Sequence, residues 1–441
     1  MSNMKHTNKK IVILSVLVSC LAFGVSSNYA IADVEQPTIA EMWETIKKQQ
    51  QEIDLLRGIQ KKNHIKVDSL KAQQGENQIA LENTSQELVK AKKDIAKATQ
   101  DIDAVSLKFD NGKRFLPEGV TIGGAVEIEA SHGKEYDGTE ANDLTLATVE
   151  LSFEAQLNDW MSTNFALLYE DPDPINVDTA TVTIGNSEKS PFYVTTGLMA
   201  APFGSYETQL LSDPLTLAMG ESGGEVLVLV GAENLGFAAS VYAFNGDTSE
   251  AGQNNTIDHG GVSVSYNVEK DGVNFSLGAG YINSIADSDG ITDALAAPDS
   301  LIDTIGGYTL NTMLEMNGFT FIGEYVSATG AFRNSELTFN GKGAKPSAWL
   351  LEVGYTFEVA EREATIAANV QGTSQALALG LPKTRIAVGG TLAMFENASL
   401  GLEWAHNQDY STVETGADNS AGSAATDKSS DSATMKLAVE F

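Results

Sequence analysis

The chain has 441 residues, 40 glycines against 10 prolines, and a formal net charge of −31, long enough for two or three domains. The charge is unevenly spread: through residue 108 there are 15 Lys and Arg against 13 Asp and Glu, and beyond it 13 against 46. So acidic a surface repels phosphate backbones, which excludes a nucleic-acid partner.

In chain order, the first element is a basic start (Lys5, Lys9, Lys10), an apolar run from Ile11 to Val25, and the small-residue signature Ala30-Ile31-Ala32 before Asp33. This reads as a secretory signal over residues 1–32, cleaved after Ala32. A membrane anchor is the alternative, but the run is shorter than the ~20 residues a spanning helix needs. Leu17-Val18-Ser19-Cys20 also has the form of a lipobox, which would leave Cys20 acylated. With cleavage after Ala32 the mature chain has no cysteine, and disulfide or thiol chemistry is excluded.

Residues 33–108 carry a heptad repeat. With Ile39 at position a, the a series runs through Ile46, Ile53 and Val67 to Ile102, and the d series from Met42 through Leu56 and Leu70 to Val105. Of the 20 seam positions 14 are apolar, and Gly58 and Gly75 fall on the outer face. Sustained heptads predict a coiled coil, and β-branched a positions with several polar d positions favour a parallel homotrimer. A helix folding back on its own chain is the alternative. Residues 109–118 form a linker.

From 119 to 441 the period changes to 2, which predicts strands. Within 144–157, Leu151, Phe153, Ala155 and Leu157 oppose Glu150, Ser152, Glu154 and Gln156. Within 348–359, Trp349, Leu351, Val353, Tyr355 and Phe357 oppose Glu352, Gly354, Thr356 and Glu358. The last strand sets Met435, Leu437, Val439 and Phe441 against Thr434, Lys436, Ala438 and Glu440. Sixteen segments are expected: 120–131, 143–157, 161–171, 178–185, 191–201, 224–233, 235–245, 259–268, 272–284, 304–316, 318–331, 345–358, 362–373, 384–395, 398–410 and 431–441.

A soluble β-sandwich alternates in the same way, and the connections decide against it. Short ones lie at Asn158-Asp159, Asn186–Ser190, Asn234, Lys270-Asp271, Asn317-Gly318, Val359–Glu361 and Asn397, while long polar ones follow Ser131, Ala201, Asn245, Ser284, Gly330 and Tyr410. Short turns at one end, long loops at the other and an even strand count predict an all-β transmembrane barrel of antiparallel strands in a bacterial outer membrane, with lipid as its surroundings. Trp160, Phe319, Phe357 and Phe441 towards the turns, and Tyr169, Trp349 and Trp404 towards the loops, fit aromatic girdles. No globular plug precedes the first strand, so an open water channel is expected rather than an energy-coupled transporter.

The run PFYVTTGLMAAPFGSYETQLLSDPLTLAMGE, Pro191 to Glu221, with LATVELSFEAQLNDW and DTATVTIGN before it, resembles the LbtU family of siderophore porins. Similarity to phosphate-selective porins is looser and rests on Pro202-Phe203-Gly204. The resemblance, best over 119–245, implies a Gram-negative outer-membrane porin that passes a ferric siderophore.

The residues themselves indicate an acidic lumen. Strand parity turns Glu127, Glu129, Glu150, Glu154, Glu170, Glu315, Glu324, Glu352, Glu358 and Glu403 inward, against Arg385 and Lys436. Carboxylate rings favour cations, which sits awkwardly with an anionic chelate, and no basic ladder serves phosphate. Keeping the lumen hydrated is the plainer role for many of these glutamates. The segment Pro202–Gly223 has the length to fold inward as a constriction, with Tyr206, Glu207, Asp213 and Glu221 near its bore; an external loop that shields the barrel is the alternative.

No enzyme chemistry is expected. His6, His64, His132, His259 and His406 show no metal-ligand spacing, and no nucleophile elbow or phosphate-binding glycine motif occurs. His406 with Asn407 and Asp409 is the nearest approach to a hydrolase group, and Asp287-Ser288-Asp289-Gly290 lacks the ligand spacing of a calcium loop. No cofactor and no metal are expected. Two functions remain: a channel for small hydrophilic solutes, or a structural role in which the stalk tethers the outer membrane to the cell wall.

Overall fold

A computed structural model describes residues 119–252, 257–415 and 425–441, and four single positions before them, Glu44, Lys47, Lys48 and Gln50, all helical and exposed. By internal contacts the chain divides into 1–113 and 114–441. The signal segment, the heptad seam and the linker lie outside the described residues.

The strands are β1 Val120–Lys134, β2 Glu140–Asn158, β3 Met161–Glu170, β4 Asn176–Gly185, β5 Phe192–Met199, β6 Glu225–Asn234, β7 Phe237–Phe244, β8 His259–Lys270, β9 Val273–Ile282, β10 Gly307–Met316, β11 Phe319–Ala328, β12 Thr338–Phe339, β13 Lys342–Gly343, β14 Ser347–Val359, β15 Arg362–Ser374, β16 Thr384–Phe395, β17 Ala398–Gln408 and β18 Ser429–Glu440. Sixteen of them close an antiparallel barrel in sequence order, with β12 and β13 forming a separate ribbon inside the connection between β11 and β14. The expected strand count is met, and the expected segments fall within a few residues of the observed strands.

Closure follows from the two chain ends of the barrel. Ala125 pairs with Glu440 and the ladder runs on to Lys134 with Asp431. Gly124 and Phe441 then exchange both backbone hydrogen bonds, at 3.1 and 3.0 Å. A side chain at Gly124 would collide with the Phe441 ring, whose Cζ lies 2.5 Å from where a Cβ would sit. The aromatic terminus therefore seals the seam on the outer surface. Tight turns at Asp271-Gly272 and Asn317-Gly318 have both residues at positive φ, the geometry that matches strand twist in two-residue hairpins.

Alternation sorts the two faces. In β14, Leu351 is 58% exposed while Leu350 and Glu352 are 0% and 5% exposed. The outward row is apolar, and aromatic side chains such as Trp160, Phe319 and Phe395 stand exposed at the short-turn end, with Tyr281 and Trp404 exposed towards the loops.

Two expectations are corrected. The first loop is only residues 135–139, because β1 and β2 continue to Lys134 and Glu140 and stay paired; polar residues can extend a ladder wherever the backbone groups pair. The inner face is also not polar throughout. Leu227, Tyr242, Phe244, Ile282, Val326 and Ala348 point inward into an apolar core completed by Phe203, Met219, Ile285, Ile291, Leu301 and Leu337 from the long connections. One side of the barrel interior, from β6 to β14, is thus packed by loops.

Candidate functional site

The connection 200–224 between β5 and β6 folds into the barrel. Its root is apolar: Phe203, Leu215 and Met219 are nearly fully buried in the core. Between them the chain crosses the inner wall and returns. Its backbone N–H groups would be unsatisfied there without acceptors, and inward carboxylates supply them.

Glu324 on β11 accepts from the N–H of Ser205 at 2.9 Å and of Tyr206 at 3.2 Å on the outgoing limb, and from Thr216 Oγ1 at 2.7 Å on the returning one. Glu352 on β14 accepts from Gln209 N–H at 2.5 Å, Thr208 Oγ1 at 2.8 Å and Asn369 Nδ2 at 3.1 Å. Glu403 on β17 accepts from the N–H groups of Leu211 and Ser212 at 2.6 and 3.0 Å and from Ser212 Oγ at 2.6 Å. The loop then turns back: Arg385 donates to the Asp213 carbonyl at 3.2 Å and Leu215 N–H donates to Gln371 Oε1 at 2.7 Å. Hydrogen bonds to ionised acceptors are about twice as strong as neutral ones. Together they hold the loop tip against the wall from β11 to β17.

This arrangement revises the reading of several residues. Glu324, Glu352 and Glu403, expected to face an open lumen, are 5%, 5% and 6% exposed beneath the loop. Tyr206, expected at the bore, donates its hydroxyl to the Phe203 carbonyl at 2.6 Å and lays its ring against Gly204 and Gly220, so it braces the loop from within. Glu207 and Asp213 are exposed on the tip. Thr208, Ser212, Thr216, Asn369 and Gln371 complete the anchoring and carry no sequence motif that would single them out.

The other inward acids sit elsewhere. On β1, Glu127 and Glu129 share Lys436 of β18 at 2.8 and 3.0 Å. Arg385 is further tied to Asn407 Oδ1 at 2.9 Å. Glu150 is half-buried, and Glu154 and Glu170 are exposed. Glu315 bonds Asn274 at 3.0 Å, and Glu358 is opposite Glu363; both lie next to the short turns and join neither group. Burial pushes Glu221 up to about 7, helped by Asp289, Asp213, Glu170 and Asp178. Partial desolvation inside the barrel raises Asp213 too, although its side chain still meets solvent, with Lys436 and Arg385 opposing and Glu129 and Glu127 adding to it. His406 on β17 is bonded across the ladder to Asp431 on β18 at 2.9 Å, while Asp409 accepts from the N–H and hydroxyl of Thr426.

No family model matches the sequence. The chain is 30% identical over 316 residues to a UPF0422 protein of Coxiella burnetii, covering 68% of each. It is 28% identical over 322 residues to the UPF0422 protein lpg2959 of Legionella pneumophila, covering 67% of this chain and 60% of that one. These relatives do not carry the LbtU name that the run Pro191–Glu221 suggested. Among solved structures, the anion-selective porin from Comamonas acidovorans superposes with a TM-score of 0.52 over 73% of this chain and 99% of the porin at 15% identity, a likeness of fold.

Proposed function

The chain belongs to the UPF0422 family, and we propose that it is an outer-membrane diffusion channel for small hydrophilic, preferentially cationic solutes. The observation that carries this reading is the inward loop 200–224, held on the wall from β11 to β17 by three buried carboxylates, with further inward acids on β1 to β3. The solute path of this proposal would be lined by Glu127, Glu129, Glu150, Glu154, Glu170, Asp213 and Glu221, opposed by Lys436 and Arg385. Carboxylate-lined pores attract cations and repel anions. The exposed apolar belt with aromatic ends supports residence in lipid, and a passive channel needs no catalytic group.

Current across a planar bilayer holding the purified mature protein, under a salt gradient, tests the reading. Stable steps with a reversal potential of cationic sign are expected; silence from folded barrels, or anion preference, would overturn it. Acidification should weaken the preference. Glu221 is charged above its value of about 7 and neutral below it, so the cation-to-anion permeability ratio falls as pH drops from 8 to 6, and Glu221→Gln flattens that slope.

Passage of a ferric siderophore, implied by the LbtU resemblance, requires a chelate with little negative charge. Iron-limited growth on the chelate with and without the gene tests it, equal growth removing it. The heptad segment 33–108, read as a coiled coil from its repeat, would lie in the periplasm and join three copies. Its removal should leave conductance intact if the stalk serves only assembly or attachment to the cell wall.

A further inference from the structure

Three consecutive residues of the loop tip each rest on a position of the inner wall that has no side chain. A Cβ added at Gly354 would lie 3.2 Å from Gln209 Cγ, one at Gly389 2.9 Å from Leu210 Cδ2, and one at Gly401 2.5 Å from Leu211 Cδ2. Leu210, 8% exposed, is also enclosed by Ala367, Ala387 and Ala405. These small residues alternate along the same inward faces with the long polar ones that grip the loop: Gly354 follows Glu352, Ala387 follows Arg385, and Gly401 and Ala405 flank Glu403. The polar residues fix where the loop backbone runs. The small ones fix how far its side chains sink towards the strands.

We propose that the width of the conduit is set from behind the loop, by the depth of this groove across β14 to β17, with Gly401 and Ala387 as the positioning residues. The inference rests on the channel reading. Interiors are close-packed, so atoms added beneath the tip must be accommodated by displacement. The wall on that side is a closed hydrogen-bonded ladder, whereas the tip carries the solvent-exposed Glu207 and Asp213 on its other side, so the tip moves.

The test is single-channel conductance of the full mature protein in planar bilayers, with gel mobility before and after boiling as the check of barrel folding. Gly401→Ala adds one methyl whose near neighbours are all atoms of the flexible Leu211 side chain, and it should lower conductance to about half. Ala387→Leu, which presses on Leu210, should lower it further. Leu211→Ala combined with Gly401→Ala, and Leu210→Ala combined with Ala387→Leu, should restore conductance towards the wild-type value. Groove residues that merely pack would give no such rescue. Unchanged conductance in folded Gly401→Ala, or double variants that lose more than the singles, would overturn the proposal. If Ala387→Leu does not fold, the Gly401 and Leu211 pair decides alone. A silent wild type would instead remove the channel reading, and this inference with it.

Discussion

Replacing residues 205–214 by a short Gly-Ser bridge is expected to raise single-channel conductance roughly two-fold or more and to increase cation preference at the same time. The first effect is geometric: the excised tip spans the inner wall from Glu324 on β11 to Glu403 on β17. The second is electrostatic. Glu352 and Glu403 spend their acceptor sites on the tip and are buried beneath it; once uncovered they become free negative charges on the wall of the path. The barrel should survive, because its closed ladder uses no loop backbone and the root residues Phe203, Leu215 and Met219 keep their places in the core. Conductance and reversal potential, read in one bilayer experiment, check both halves. A folded variant with wild-type conductance would show that the loop is not what limits flow.

How much of this was legible in the sequence depends on which force wrote each segment. Lipid outside a barrel demands an apolar side chain at every second position, so the sixteen strands and the short turns between them stand out. Beyond the bilayer that demand ends, and the polar continuation of β1 and β2 to Lys134 and Glu140 looked like loop. The interior is harder still. An inward Glu403 bathed in water and an inward Glu403 gripping Leu211 and Ser212 give the same alternating pattern, and only the loop's position tells them apart. The readable trace of that position was the set of small inward residues, Gly354, Ala387, Gly389, Gly401 and Ala405, on neighbouring strands. A water-filled lumen has no need of them, and a packed segment does. The apolar inward faces of β6 and β7, with Leu227, Leu229, Tyr242 and Phe244, were a second trace: two apolar faces on one strand mean lipid on one side and packed protein on the other.

Glu324→Ala should loosen the loop more than any other single change on the wall, because this carboxylate closes the neck of the excursion. It receives Ser205 and Tyr206 from the outgoing limb and Thr216 from the returning one, all within 3.2 Å. Glu352 and Glu403 each hold only one stretch of the tip. Leaving buried donors without an acceptor costs about 1–3 kcal/mol each. Even at the lower end the three donors total about 3 kcal/mol, which would shift the balance between seated and displaced loop by about 100-fold. The expected record is therefore a channel with strong open-state current noise and a mean conductance above wild type, together with rapid proteolytic cleavage between residues 205 and 213. Glu324→Gln should be much milder, since a carbonyl oxygen remains for Ser205 and Tyr206, and the Thr216 hydroxyl can turn to accept from the new amide. If Glu324→Ala stays as quiet and as protease-resistant as the wild type, the neck is held by the buried root alone, and the carboxylate is only a satisfied polar group.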